Sequence, residues 1–305
     1  MATVRYIDKD VLNGLQYLGR GGQGVVYRVS NVTLSDVGAG VFKEYLPEAL
    51  ASLNVSALRR AVNFFGDLSR GDAVALLGFV AWPVKLVVSG GNVIGFIMPE
   101  VPKRFRVSLK RPSGGRQPVL AEFSHLLNPP AWRGWQKIDP PIEVLIALLV
   151  DVARCIAFLH RYRIVVGDIS PNNLLYGLTP TPKCYIIDCD SMLLAGTSAL
   201  PQGETPNWSV GARSGEPPAT KASDSFKLSL LALRLLVHDH HSRDPSSLPM
   251  ATPARLRLLI EAGLSIDPEA RPSAQDWVDT LLPEWRRLPP PQRGNSTKRE
   301  SFPPS

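Results

Sequence analysis

Two short stretches in the middle of the chain carry its strongest structural signal: Val166-Gly167-Asp168-Ile169-Ser170-Pro171-Asn172-Asn173-Leu174-Leu175 and Ile186-Ile187-Asp188-Cys189-Asp190. Apolar residues flank the polar ones in both, which predicts two short β-rich turns. Asp168, Asn173 and Asp188 place oxygen-bearing side chains on these turns. Mg²⁺ takes one or two carboxylates together with substrate phosphates. One aspartate before a turn is commonly only a turn residue, but the combined spacing D-x-x-x-x-N…I-D predicts a magnesium and phosphate site.

A glycine-rich motif lies near the start of the chain, in Leu18-Gly19-Arg20-Gly21-Gly22-Gln23-Gly24-Val25-Val26. Its G-x-G-x-x-G spacing lets a backbone without side chains fold over a polyphosphate and offer N–H groups to it. A dinucleotide-binding loop would need a helix after the motif. Residues 25–29 read as a strand instead, so the loop is predicted to be the tip of a hairpin.

Lys43 follows Gly24 by nineteen residues and sits among apolar neighbours in a predicted strand. A lysine buried there needs an anion to compensate its charge. An edge-strand lysine that points into water is the alternative.

The order of predicted elements changes along the chain. Strands are predicted at residues 25–29, 41–45, 82–89 and 92–98, with one helix at 55–68 capped by Asn54. Beyond Pro102, helices are predicted at 141–162, 222–237, 255–263 and 273–282. A strand-rich part is therefore followed by a larger helical part.

Taken together, these motifs resemble those of the protein-kinase family, particularly eukaryotic-like bacterial Ser/Thr kinases, in a divergent branch with D-C-D in place of D-F-G. The resemblance implies an α+β, bilobal protein-kinase-like fold with a small strand-rich N-lobe and a larger helical C-lobe. Its implied parts are an N-lobe at residues 10–98, a hinge at 99–102 and a C-lobe at 103–288. A disordered Pro-rich basic tail is expected at 289–305.

The resemblance also implies a role for each motif. The protein would transfer the γ-phosphate of ATP to Ser/Thr hydroxyls of proteins, including itself, with ATP and Mg²⁺ as cofactors. Lys43 would bind the α- and β-phosphates, and Asp168 would accept the proton of the substrate hydroxyl. Asn173 and Asp188 would hold Mg²⁺. The expected catalytic residues are therefore Lys43, Asp168 and Asn173. The remaining residues expected to contact ATP are Gly19, Gly21, Gly22, Gly24, Val26, Met98, Pro99 and Val101.

Two further segments fit the same family. Asp224 resembles the aspartate of the central buried helix that caps the catalytic loop, and Arg271 resembles a structural arginine whose ion-pair partner would be Glu216.

Several departures from the family pattern bear on activity. Residues 55–68 contain no glutamate to pair with Lys43, and Glu48 is the expected substitute. Gly167 stands where an arginine would receive an activation-loop phosphate, so weak dependence on such phosphorylation is expected. Ser170 stands where Ser/Thr kinases normally have a lysine near the γ-phosphate. Asp190 either faces the metal with Asp188 or is a plain turn carboxylate. A pseudokinase scaffold that binds nucleotide or partners is therefore one alternative, and a small-molecule kinase is another.

Composition bears on the expected cellular compartment and on the kinds of partner. The chain has 305 residues, a net charge of +7 and three cysteines, without metal-ligand spacing to histidine. Its longest apolar run is far shorter than the roughly 20 residues of a membrane span. Asp8, Lys9 and Asp10 lie where a secretory signal would need an apolar stretch, so no such signal is expected in residues 1–10. Reduced thiols in a cytoplasm are expected. The acid-free segment 102–118 reads as a solvated loop or as a docking site for an acidic partner, and it has too few aromatic residues for nucleic-acid binding.

Overall fold

A computed structural model describes residues 5–34, 38–210 and 216–287. Its strands are β1 Tyr6–Asp8, β2 Gln16–Arg20, β3 Gly24–Leu34, β4 Gly38–Tyr45, β5 Lys85–Ser89, β6 Asn92–Pro99, β7 Arg106–Lys110, β8 Arg116–Leu120, β9 Ile164–Val165, β10 Leu174–Gly177, β11 Lys183–Ile186 and β12 Leu193–Leu194. Its α-helices are α1 Pro47–Ala51, α2 Val55–Asp67, α3 Arg70–Phe79, α4 Ser124–Leu127, α5 Pro130–Gln136, α6 Ile142–Arg161, α7 Lys221–Val237, α8 Ala254–Gly263 and α9 Ala274–Arg287.

The N-terminal part is a six-stranded sheet in the order β1-β5-β6-β4-β3-β2. Neighbouring strands are antiparallel except for β1 and β5, which are parallel. β2 and β3 form the hairpin predicted around the glycine motif. Strand β4 lies between β3 and β6, so Lys43 belongs to an interior strand rather than to an edge.

Helix α2 packs against the sheet through an apolar face. Asn54 caps it by accepting a hydrogen bond from the N–H of Ala57 at 3.0 Å, as the sequence predicts. Leu58 and Val62 are buried together with Leu86 and Phe96 of the sheet. Burying a leucine or valine side chain stabilises a fold by about 1.5–3 kcal/mol. Helix α2 is therefore held to β5 and β6 mainly by its apolar positions.

The C-terminal part is mainly helical and is built around α6 and α7, whose residues are mostly buried. Thr220 and Ser223 form a reciprocal capping box at the start of α7. The hairpin of β10 and β11 and the short pair β9–β12 hold the loops that lead to Asp168 and Asp188. Arg271 contacts Glu216 at 2.8 Å with both side chains almost fully buried, which confirms the predicted ion pair.

Residues 102–118 were expected to form a loop, and that expectation is wrong for most of the segment. β7 and β8 pair as an antiparallel hairpin from Arg106↔Leu120 to Lys110↔Arg116. Gly114 and Gly115 both have positive φ and supply its tight turn. Gln136 of α5 bonds the N–H and the C=O of Lys110, so the hairpin is anchored to the helical part.

The fold class is therefore mixed α and β, with a strand-rich N-terminal sheet followed by helices, as predicted. The elements not predicted are β1, β12, α1, α3, α4, α5 and the β7–β8 hairpin. The tail at 289–305 lies outside the described residues, as does the last residue of the expected C-lobe. Within the described ranges, none of the helices has the length and apolar character needed to traverse a lipid bilayer.

Candidate functional site

The glycine motif closes over a cavity at the edge of the sheet. The N–H of Gly21 donates to the carbonyl of Gly24 at 2.9 Å, which closes the turn between β2 and β3. A Cβ atom at Gly24 would lie 2.6 Å from the carbonyl oxygen of Glu44 on β4. Only glycine therefore allows the loop to approach the strand that carries Lys43.

Lys43 is held by two aspartates from the other side of the cavity. Its Nζ lies 3.1 Å from Asp188 Oδ1 and 3.0 Å from both carboxylate oxygens of Asp190. Burial alone would lower the pKa of Lys43, but the charges of Asp190 and then Asp188 outweigh it and raise this pKa. Lys43 therefore stays protonated although its exposure is only 4%.

Asp190 takes the role that the sequence analysis assigned to Glu48. Glu48 is exposed on α1, whereas the Asp190 side chain has no exposure at all. The interpretation of Asp190 as a plain turn carboxylate is also wrong, because it is the buried counterion of Lys43. Its carbonyl oxygen accepts hydrogen bonds from the N–H groups of Ala199 and Leu200, which fix the turn.

Asp168 and Asn173 face each other across one loop. Asn173 Nδ2 donates to Asp168 Oδ2 at 2.8 Å and to the Asp168 carbonyl at 3.1 Å. The Thr205 hydroxyl oxygen lies 3.0 Å from both Asp168 carboxylate oxygens, so this carboxylate already has a hydroxyl group within hydrogen-bonding distance. The N–H of Ile187 bonds the carbonyl of Asn173 at 3.0 Å, which joins this loop to the Asp188 turn.

Asp188 begins that turn in the left-handed region, at φ +56° and ψ +46°. Aspartate tolerates this conformation better than most residues. Its side chain is 52% exposed, so it can take a further ligand beside Lys43. The carboxylate of Asp188 and the amide oxygen of Asn173 are the hard donors available here for Mg²⁺.

These residues share one cavity of about 290 Å³. Lining residues that the sequence predicted are Gly21, Gly22, Gly24, Val26, Lys43, Asp168, Asn173 and Asp188. Lining residues that it missed are Gln23, Ser191 and Gly203. The volume lies at the lower limit of ordinary ligand pockets, roughly 300–1,000 Å³.

Four of the predicted ATP-contacting residues do not line this cavity. Gly19 is paired with Val26 inside the β2–β3 hairpin. Met98 and Val101 pack on an apolar cluster with Tyr185, and Pro99 is buried at the end of β6. In the part of the chain that the structure describes, the N–H of Val101 has no hydrogen-bond partner.

Two groups behind the cavity position its loops. Asp224 accepts hydrogen bonds at 2.8 Å from the N–H groups of Val166 and Gly167, as the motif resemblance implied. Lys227 is fully buried one turn further along α7 and donates to the Gly167 carbonyl at 2.6 Å and to Glu204 at 2.7 Å. Lys227 was not predicted, although a lysine between Phe226 and Leu228 in a largely apolar helix indicates a buried charge that needs partners.

No protein-family model matches this chain, and no curated protein matches it. The functional interpretation therefore depends on the geometry of the site.

Proposed function

We propose that this chain is an ATP- and Mg²⁺-dependent protein kinase with a bilobal kinase-like fold that phosphorylates Ser/Thr hydroxyls of proteins. One observation carries the proposal: the glycine loop, Lys43, Asp168, Asn173 and Asp188 line a single cavity although they come from distant parts of the sequence. If these aspartates and this asparagine served only their local turns, they would have no reason to converge on Lys43 of strand β4.

Each group has a chemical task in phosphoryl transfer. The backbone N–H groups of the loop around Gly22 and the ammonium group of Lys43 supply donors and positive charge for a polyphosphate. Asp168 receives the proton of the attacking hydroxyl, a role supported by the Thr205 hydroxyl at 3.0 Å from it. Asn173 and Asp188 would hold Mg²⁺, which supplies charge neutralisation at the phosphates. Val101 does not line this cavity, but its N–H, which has no hydrogen-bond partner among the described residues, would be a donor for the adenine ring.

The surroundings of the site fit a protein substrate in a reducing compartment. The β7–β8 hairpin carries exposed Arg106, Arg111 and Arg116 directly after the segment expected to be the hinge, and it offers an acidic protein segment a docking surface. All three cysteines are free thiols, in keeping with a cytoplasmic setting.

One contact favours a second candidate, a nucleotide-binding scaffold without phosphotransfer. Lys43 Nζ lies 3.1 Å from Asp188 Oδ1, so a lysine cation already neutralises the carboxylate that would hold Mg²⁺. In an active enzyme this contact must loosen when metal and triphosphate bind. In a scaffold it would persist.

A phosphate-transfer assay separates these candidates. The purified chain is incubated with Mg²⁺ and γ-³²P-labelled ATP, alone and with casein or myelin basic protein as acceptor. Wild type should label protein, whereas Lys43→Met, Asp168→Asn and Asp188→Asn should each lose at least 100-fold in rate, since electrostatic stabilisation of charge is the main catalytic term.

Glu48→Gln is the matched control, because it removes an exposed carboxylate close to Lys43 in sequence. It should keep wild-type activity. Labelling at the wild-type rate by Lys43→Met, Asp168→Asn and Asp188→Asn would refute the assigned roles. ATP binding by the wild type without any labelling would establish the scaffold instead.

A further inference from the structure

A second cavity lies away from the candidate site and shares none of its lining residues. It has a volume of about 470 Å³ and is lined by α3, the segment 102–105, α6 and β11. Three potential metal ligands meet at its wall: Asp151 and Cys155 of α6 and Cys184 of β11. Within residues 5–34, 38–210 and 216–287, this is the only group of at least three His, Cys, Asp or Glu side chains whose ligand atoms lie close enough to share an ion.

Helix geometry and strand register bring the three donors together. Asp151 and Cys155 are four residues apart, so they lie on the same face of α6. Cys184 Sγ lies 3.3 Å from Cys155 Sγ, and all ligand atoms fall within 4.8 Å of one another. The exposures of Asp151, Cys155 and Cys184 are 7%, 5% and 1%. The donors are thus sheltered from bulk water yet border an open cavity.

The carboxylate is already oriented for a ligand role. Asp151 Oδ2 accepts the N–H of Cys184 at 2.9 Å, and Asp151 Oδ1 accepts Lys183 Nζ at 2.6 Å. Such outer hydrogen bonds fix ligand orientation in metal sites.

We propose that Asp151, Cys155 and Cys184 form a Zn²⁺ site. Two thiolates and a carboxylate match the donor preferences of Zn²⁺, and water from the cavity supplies the fourth ligand of a tetrahedron. Binding Zn²⁺ displaces the two thiol protons, so the net charge of the site is unchanged. The cations at the cavity wall, Lys183, Arg104 and Arg154, therefore face the same total charge with and without the metal.

The sulfur separation favours a metal over a disulfide. Tetrahedral geometry with Zn–S bonds of about 2.3 Å requires sulfurs about 3.8 Å apart, so the pair opens by roughly 0.5 Å. A disulfide of about 2.05 Å would require a closure of more than twice that size.

The metal would connect α6 to the strand that leads to the candidate active site. Cys184 lies in β11, and Asp188 follows that strand by two residues. A bound ion would therefore secure the base of the Asp188 turn. This consequence does not depend on whether the protein is a kinase.

Zinc binding is measured on the full chain, reduced and stripped of metal with a chelator. Wild type should bind one Zn²⁺ per chain in competition with a chromophoric chelator, and Co²⁺ should give thiolate-to-cobalt charge-transfer absorption. Cys155→Ser, Cys184→Ser and Asp151→Asn should each weaken binding at least tenfold, and the cysteine variants should lose the charge-transfer band.

Cys189→Ser is the control, because Cys189 is equally buried but donates to the carbonyl of Ala81 instead of joining the cluster. It should bind as the wild type does. If the cysteine variants fail to fold, the stoichiometry of Zn²⁺ binding by the wild type and the Zn²⁺ titration of Asp151→Asn still test the proposal. Absence of stoichiometric Zn²⁺ in the reduced wild type, or unchanged binding in Cys155→Ser, overturns the proposal.

Discussion

Replacing Asp190 with asparagine is expected to disrupt the site through Lys43. Both Asp190 carboxylate oxygens lie 3.0 Å from Lys43 Nζ, and both side chains are buried. Asparagine keeps the shape of aspartate but removes its charge, so Lys43 would retain only Asp188, which is half-exposed. Asparagine also has an NH₂ group, whose donors cannot satisfy an ammonium group that needs acceptors.

The size of the effect follows from the remaining partner. Removing one member of a buried ion pair costs about 3–5 kcal/mol when its partner is left alone. Asp188 still faces Lys43 at 3.1 Å, so the expected loss is at the lower end, about 3 kcal/mol. That is roughly a 100-fold change in the unfolding equilibrium constant. With a urea m-value of roughly 3 kcal/mol/M, the unfolding midpoint falls by about 1 M.

Urea unfolding at pH 7 measures this loss. The pKa of Lys43 is raised in the folded protein, so its stabilising contribution is fully present at neutral pH and is lost only as the pH rises through the folded value. Asp188→Asn is the comparison variant and should lose less stability but more Mg²⁺-dependent phosphotransfer than Asp190→Asn. A free energy of unfolding for Asp190→Asn within about 0.5 kcal/mol of wild type would refute the assignment of Asp190 as the main counterion.

Two further predictions concern groups behind the site. Lys227→Met should lower the free energy of unfolding by about 3 kcal/mol, because it leaves Glu204 and the carbonyl of Gly167 without their cation. Adding Glu204→Gln should recover part of this loss in a double-mutant cycle measured by urea unfolding. Strictly additive losses would show that the pair does not interact. Burial, and to a smaller extent repulsion from Arg133, lowers the pKa of His238 in the folded protein. The unfolded chain therefore binds the proton more readily, and stability is lost as the pH falls from about 6.5 through the folded pKa. His238→Asn keeps a residue that tolerates the left-handed backbone at φ +53° and should lose less stability between pH 7.5 and 5.5 than wild type, and an identical loss would exclude His238 as a contributor.

Local patterns were enough to predict most of the elements. The apolar spacing of residues 55–68 and Asn54 before it predicted a helix, and α2 occupies Val55–Asp67. The pattern at 92–98 predicted a strand, and β6 occupies Asn92–Pro99. Helix α3 was missed although Ser69 and Asp72 form a capping pair at its start, because its apolar residues follow no clear stripe.

Long-range electrostatics could not be obtained from the same patterns. Asp190 is 147 positions from Lys43 in sequence, and only the packed structure shows that the turn buries its carboxylate against that lysine. The charges of residues 102–118 likewise obscured the Gly114-Gly115 turn signal and the alternation that lets Val107 and Leu109 pack on the core. Eight of the eleven residues that line the cavity were predicted from the sequence, whereas the pairing of Lys43 with Asp190 was not.

The position of the counterion has a mechanical consequence for α2. Because Lys43 is paired with the 188–190 turn, no charge on α2 is needed to hold it, and the helix meets the sheet through buried Leu58 and Val62. The N–H of Asn54 donates to the carbonyl of Ala199 at 2.8 Å, and the N–H of Ala199 bonds Asp190. The start of α2 and the counterion of Lys43 are therefore fixed by one segment. A small rotation of α2 would leave the ion pair intact, whereas displacement of the segment around Ala199 would disturb both together.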